Sequence, residues 1–279
     1  MIYLVPECAS ALGDDTFWTW AQREFPNSVM GAPINVTKDD AILQYSTMGA
    51  SKFPEHTIAL LWELYPEMKA MKVDPGGVDG RIATINECCA TAARRVVASS
   101  LMVPYYEQSG KHIDVIPLAV DTDLFRPYDK TAMRAKYGIP TDRKVGFWSG
   151  TEHPMKGFDQ MKVYASQHPE IFWIVVWTHP WSRGNFPGYP NFGSVPQCQL
   201  SELMSCADFY LSCSRLRPFY MTEWEAMACN LPMTIPSGIQ KDFVPSANPR
   251  DDIFRLGWDR ASAKKTWLNY IADFIASKQ

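Results

Sequence analysis

No stretch of this 279-residue sequence approaches the ~18 consecutive apolar residues of a membrane-spanning helix. Nor is there a basic-hydrophobic helix of the kind that lies on a bilayer, since "TFWTWAQREF" carries a single arginine. A membrane partner is therefore not expected. The seven cysteines form no C-x-x-C pair and have no histidine at ligand spacing, so neither a zinc site nor a disulfide framework is read from them. They read as reduced, structural thiols, and no metal is expected. The opening "MIYLVPECAS" is too short for a secretory leader, and the expected location is the cytoplasm, that of a host cell if the chain is viral. A net charge of −3 leaves no global field to attract nucleic acid. With 46% hydrophobic and 20% charged residues, and neither repeats nor low-complexity tracts, the composition excludes a disordered chain.

What is abundant is aromatic surface, 13% of residues with ten tryptophans, and apolar runs of strand length that alternate with helical patterns. In the first half "IYLVPE", "DDAILQYST", "HTIALLWEL", "GRIATIN" and "KHIDVIPLAVD" read as strands. "TFWTWAQREF" reads as a helix, and "ECCATAARRVVASSLMVPYY", from Glu87 to near Pro104, as another. "TDLFRPYDK" has the proline and polar content of a linker. In the second half "RKVGFWSG", "IFWIVVWTH", "DFYLSCS" and "LPMTIPS" read as strands, separated by helices over "MKGFDQMKVYASQHPE", "QLSELMSCA" and the stretch after Pro218. "SAKKTWLNYIADFIASK" closes the sequence as an amphipathic helix. Near-continuous apolar strands alternating with helices predict an α/β protein with parallel sheets covered on both faces. Two doubly wound domains facing across a cleft are expected.

In such sheets ligands sit beyond the carboxyl ends of strands. Two loops of the second half qualify. "SGTEHPMKGFD" offers Gly150 for close backbone approach, then Thr151, His153, and Lys156 with Gly157 as a cation beside a turn. "SRLRPFYMTEWEAMACNLP" brings a helix start around Phe219, Tyr220, Met221 and Thr222, where unpaired N–H groups favour an anion by roughly 0.3–2 kcal/mol. Together the loops could hold a diphosphate. Glu225, two turns into that helix, is placed to accept hydrogen bonds from vicinal hydroxyls such as those of a ribose. Glu223 lies about 200° away around the helix and is expected to serve otherwise. Taken singly, a Lys-Gly pair is usually an ordinary turn and a helical glutamate a solvated one; the argument rests on their combination.

These residues resemble the retaining, GT-B-fold glycosyltransferases of family 4. "HIDVIPLAVDTDLFRP" is similar to that family's "VIPNGVDTxxFxP", "SGTEHPMKGFD" to "GRLxxxKGxD", and "CADFYLSCSRLRPFYMTEWEAMACNLP" to "ADxxxxPSxxEGFGxxxLEAMAxGxP". The order is the family's, and the resemblance covers roughly residues 80 to 240. It implies a first, acceptor-binding Rossmann-like domain over 1–118, a nucleotide-sugar donor domain over 119–262, and a helix over 263–279 packing back across the junction. It also implies a nucleoside-diphosphate sugar as co-substrate, with no cofactor and no metal. By position, Lys156 becomes the phosphate lysine and Glu225 the ribose carboxylate, with Lys156, Arg217 and Glu225 as the catalytic set. The sequence departs from the family twice: its loop arginine falls on Thr151, and its earlier glutamate on Arg217. The expectation is that Arg217, or neighbouring Arg215, restores the second positive charge on the diphosphate, as suits a planar guanidinium fork.

On the acceptor side Asp14 and Asp15, His56 and Glu63 are candidates, a solvated loop acid being the commoner explanation for each. A soluble hydroxyl compound is expected as acceptor. The size of the chain resembles that of phage GT-B enzymes that glycosylate hydroxymethylated pyrimidines, which makes DNA a candidate partner, with Lys69, Lys72, Arg81, Arg94 and Arg95 as a basic rim. The rival expectations are a degenerate module that binds a nucleotide sugar without turning it over, and a transferase acting on a glycan or lipid-linked acceptor. The donor sugar, the base and the oligomeric state have no signature here.

Overall fold

The computed structural model describes residues 1–6, 13–62, 65–70, 72, 77–107, 110–178, 184–216, 221–241 and 243–278, with the side chains of 13–16 outside the description. Its strands are β1 (Ile2–Val5), β2 (Ser28–Met30), β3 (Ala41–Tyr45), β4 (Thr57–Leu60), β5 (Arg94–Val97), β6 (Asp114–Val115), β7 (Val145–Gly150), β8 (Phe172–Trp177), β9 (Asn191–Phe192), β10 (Phe209–Leu211) and β11 (Met233–Thr234). The helices are α1 (Gly13–Glu24), α2 (Tyr65–Ala70), α3 (Val78–Thr91), α4 (Val103–Tyr106), α5 (Lys130–Tyr137), α6 (Phe158–Gln167), α7 (Gln197–Ser205), α8 (Met221–Ala228), α9 (Pro249–Arg255) and α10 (Arg260–Ala276). The chain divides into two compact units, Met1–Ala119 with Ala261–Gln279, and Val120–Arg260.

The first unit is built on a parallel sheet in the order β2-β1-β3-β4-β5-β6. β3 and β4 are buried along their whole length, as strands covered on both faces must be. Its core is aromatic. Phe17 and Trp18 of α1 meet Trp62 just past β4, with the Phe17 and Trp62 rings 4.6 Å apart edge to face. From α10, Trp267, Ile271 and Phe274 enter the same core, and the Trp267 ring lies 5.6 Å from Phe17.

Two expectations for this unit fail. "GRIATIN" is no strand; it lies inside α3, which buries Val78, Ile85, Cys88 and Cys89 at helical spacing and is entered through Gly77 at φ +74°. The helix expected from Glu87 to Pro104 is broken into the end of α3, strand β5, a 3-10 turn over Ser100–Met102, and α4. The break is set by Arg95. Its guanidinium is buried and donates to the carbonyls of Cys89, in the last turn of α3, and of Ala92, which caps it, so the chain can leave the helix and pair with β4. Of "KHIDVIPLAVD" only Asp114–Val115 is a strand.

The second unit has the parallel order β11-β10-β7-β8-β9. The chain winds outward from β7 through β8 to β9, then returns to lay β10 and β11 on the other side of β7. The reversal falls between β7 and β10, and the crevice at that point is where such sheets bind ligands. Trp148, Trp173, Trp177, Phe209 and Met161 fill the space between the sheet and α6. The two ends of the unit are tied together: the Val120 N–H donates to the Trp258 carbonyl at 2.9 Å, and the Arg260 N–H to the Val120 carbonyl at 3.1 Å.

Candidate functional site

At the β7–β10 reversal the two loops singled out in the sequence are welded into one structure. Past β7 the chain makes a 3-10 turn, Pro154–Lys156, whose entry is capped by His153: its Nδ1 accepts the Met155 N–H at 3.3 Å. Burial, with the Lys156 charge beside it, lowers the pKa of this imidazole, which favours the neutral ring that the cap requires. Thr151 in turn accepts the His153 N–H through Oγ1 at 3.3 Å. Gly157 then turns the chain at φ +69° and passes so close to Cys213 that any Cβ would overlap its carbonyl.

Arg215, past β10, completes the weld. Its N–H donates to the Met155 carbonyl at 2.8 Å, and its guanidinium contacts the Pro154 carbonyl and grips both oxygens of Asp159, one at 2.9 Å. That grip, more than the Coulombic attraction, holds the Asp159 carboxyl below the ordinary range. Arg215, offered as a second cation for a diphosphate, is thus engaged by Asp159 and holds the Lys156 loop against the end of β10.

The weld leaves a small recess lined by Trp148, Ser149, Lys156, Tyr210, Cys213, Ser214, Thr222 and Glu223. Ser149 Oγ and Tyr210 Oη are 3.1 Å apart, and Thr222 bonds the same phenol, whose pKa is pushed up mainly by burial. Glu223, which sequence reasoning set aside, lines this recess with only 2% of its surface exposed. Its Oε1 accepts from Ser212 Oγ and, at 3.0 Å, from Lys241 Nζ, a lysine as buried as the glutamate. Lys241 also donates to the Leu216 carbonyl at 3.0 Å. The pairing joins residues eighteen positions apart and has no local sequence signal.

Glu225 is also buried, on α8, and loss of solvent raises its pKa to about 8, a shift that the Arg260 charge opposes. It does not line the recess. Gly150 ends β7, and Thr151, His153, Lys156, Gly157, Arg215, Met221 and Thr222 fall on the two welded loops or the start of α8, whereas Arg217, Phe219 and Tyr220 lie outside the described residues.

Of the acceptor-side candidates only His56 is described with its side chain. His56 sits in the turn that enters β4, at the amino end of the strand, where its ring contacts the Asp40 carbonyl at 3.2 Å and Lys278 Nζ at 2.9 Å. Asp14 and Asp15 open α1 with their side chains outside the description, and Glu63 is outside the described residues. The basic rim is largely occupied: Arg95 is buried, Arg94 lies over the Tyr270 ring, Lys69 pairs with Asp79, and Arg81 bonds Tyr65 Oη at 2.8 Å.

Among the described residues no group of three or more His, Cys, Asp or Glu side chains is arranged to hold a metal ion. One Asp-x-Asp triplet, Asp121-Thr122-Asp123, was passed over in the sequence. Asp121 accepts the N–H groups of Asp123 and Leu124 and pairs with Arg260, so it shapes the entry to the second unit. No described helix is long and apolar enough to cross a membrane.

No protein-family model matches the chain. A D-inositol 3-phosphate glycosyltransferase of Segniliparus rotundus is 27% identical over 204 residues, 67% of this chain and 44% of that protein. The chain spans less than half the length of the curated relatives it matches. Among solved structures, Anabaena HepE in complex with UDP-glucose superposes with a TM-score of 0.62 at 13% identity, covering 99% of this chain and 96% of that one. WaaG, a glycosyltransferase involved in lipopolysaccharide biosynthesis, gives 0.60 at 13% identity over 99% and 95%. The fold is the GT-B fold, and the relatives and structural neighbours of this chain are GT-B glycosyltransferases.

Proposed function

We propose that the chain is a glycosyltransferase that takes its sugar from a nucleoside-diphosphate sugar, binds it on the second unit, and passes it to a hydroxyl acceptor. The observation that carries this reading is the weld between the Lys156 turn and the β10 exit, which aims one cation and the start of α8 into a single polar recess at the topological reversal. An ammonium beside a helix N-terminus suits the two phosphates of a nucleoside diphosphate. Lys156 would take the leaving diphosphate and stabilise the charge that develops on it. Arg217, four residues before α8 in the sequence, would add a second cation, and Glu225 would receive the ribose hydroxyls.

The relative from Segniliparus is a glycosyltransferase by name, and HepE was crystallised with UDP-glucose, which makes UDP-glucose a sensible first donor. The finer readings, retention at the anomeric carbon and independence from metal, follow the resemblance to family 4. They predict an anomeric configuration in the product equal to that of the donor, seen by NMR, and a rate unchanged by EDTA. A soluble hydroxyl compound remains the favoured acceptor. Hydroxymethylated DNA loses ground, because Arg95 is buried and Arg94, Lys69 and Arg81 are engaged within the first unit, which leaves Lys72 as the exposed cation of that rim without a side-chain hydrogen bond or ion pair among the described residues.

Thermal unfolding of the protein with UDP, GDP, ADP and their glucose conjugates tests the donor site directly. A ligand at a hundred times its dissociation constant adds about 2.7 kcal/mol of stability. Stabilisation by one base and not the others supports the reading; no shift with any of them overturns it. The second reading, a binding module without turnover, is motivated by Thr151 and Arg217 standing where the family pattern has an arginine and a glutamate. Donor binding with neither hydrolysis nor transfer across an acceptor panel would establish it.

A further inference from the structure

We infer that Glu223 and Ser214 form the sugar-recognising wall of the donor recess, with Glu223 accepting and Ser214 Oγ donating hydrogen bonds to hydroxyls of the transferred sugar. This rests on the donor-site reading above and goes past it, to the residues that distinguish a nucleotide sugar from the bare nucleotide.

Ser214 makes the first observation. It is 7% exposed and lines the recess, and its Oγ has no hydrogen-bond partner among the described residues. A buried hydroxyl left unpaired costs about 1–3 kcal/mol, so native structures rarely keep one without a use. A ligand oxygen in the recess removes that cost. Its neighbours are already engaged: Ser149 is bonded to Tyr210, and Ser212 to Glu223.

The second observation is the state in which Glu223 is held. A carboxylate buried this deeply needs a partner, and Lys241 supplies it on Oε1. The pair is neutral as a unit, so the charge offered to a ligand in the recess comes from Lys156. A site that joins one ammonium, a fixed carboxylate and a hydroxyl without a partner among the described residues fits a ligand with an anionic group at one end and hydroxyls at the other. A phosphorylated sugar has that pattern; a nucleoside diphosphate alone presents only the anionic half to these residues. The geometry also bears on Arg217. Where the related pattern places a carboxylate at the helix entrance, this chain carries arginine, and a carboxylate reaches the recess instead from position 223, in the first turn of α8.

The test is calorimetric titration of UDP and UDP-glucose, or of whichever nucleotide pair the thermal screen selects, into the wild type, Ser214→Ala, and the double variant Glu223→Gln/Lys241→Met. The double change avoids leaving a buried ammonium unpaired; if it fails to fold, Ser214→Ala carries the test alone. The expected result is a UDP dissociation constant within about twofold of wild type in both variants, with that for UDP-glucose raised about tenfold. Equal weakening of both ligands, or of neither, overturns the assignment while leaving the donor site intact. Failure of the wild type to bind any nucleotide diphosphate overturns the donor site, and this wall with it.

Discussion

The Cα of Gly157 packs against the carbonyl of Cys213 with no room for a methyl group between them, and at φ +69° the residue occupies a conformation that side-chain-bearing residues adopt at a cost. Two independent constraints therefore fall on one position in the turn that presents Lys156. Gly157→Ala is expected to lose at least about 2 kcal/mol of stability, from strain and overlap together. It should also lose nucleotide binding, because Lys156 is displaced. Denaturant unfolding beside a UDP titration checks both, and an unchanged midpoint would contradict the packing described.

Arg215 should behave differently. Its pair with Asp159 is half exposed, 26% on one side and 56% on the other, so its removal is expected to cost under about 1 kcal/mol of stability. The Lys156 turn would nevertheless lose its anchor. Arg215→Ala is predicted to weaken donor binding about tenfold with little change in unfolding midpoint, and Arg215→Lys to recover little of it, since an ammonium cannot grip both carboxylate oxygens. Full binding in Arg215→Ala would show that the turn is held by its backbone alone.

Asp208, in the "ADFY" stretch that resembles a family motif, is a fastening rather than a ligand. It accepts the Val145 N–H at 2.8 Å, the guanidinium of buried Arg134 at 2.8 Å and Lys130 at 2.7 Å. Burial would raise its pKa, yet these bonds and charges outweigh it and the net shift is downward. Its stabilisation is therefore complete above the ordinary carboxylate range and is lost as pH falls through the depressed folded value. Asp208→Asn is expected to destabilise the protein by about 2–4 kcal/mol at neutral pH, and by progressively less in acid. A constant difference across pH would argue against the charge.

Glu225 titrates in the opposite sense. With a folded pKa of about 8, well above that of an exposed glutamate, it keeps its proton longer in the folded than in the unfolded protein. The folded state loses ground as pH rises from about 4.5, and the full penalty is reached once pH passes 8. Glu225→Gln should gain stability relative to wild type across that window and none below it. Unfolding midpoints of the two proteins from pH 4 to 9 decide the matter; parallel curves would mean that the carboxylate is solvated.

Much of the second unit was legible from residue order, because its strands are almost wholly apolar and its turns carry glycine. "RKVGFWSG" and "IFWIVVWTH" became β7 and β8, and "QLSELMSCA" became α7. The first unit was harder. "GRIATIN" is an apolar run of strand length, but Gly77 starts a helix upstream and the apolar positions serve helical packing. "ARRVVAS" continued a helical composition, and the end of α3 is fixed by a buried arginine whose partners are backbone carbonyls, which leave no trace in sequence. Glu223 was misjudged for a related reason. Its angle around α8 relative to Glu225 was right, but which side of the helix meets the recess depends on Lys241, a partner supplied by a later segment.

The division of the chain has a further consequence for synthesis. The second unit is continuous from Val120 to Arg260, whereas the first is interrupted and receives Trp267, Ile271 and Phe274 only from the last helix. A growing polypeptide therefore makes the earlier sheet first but cannot close its aromatic core until α10 has been synthesised. Meanwhile the later, uninterrupted unit can already have folded. The unit begun first is thus completed after the second, and in the interval the indoles of Trp18 and Trp62 lack the cover that α10 supplies.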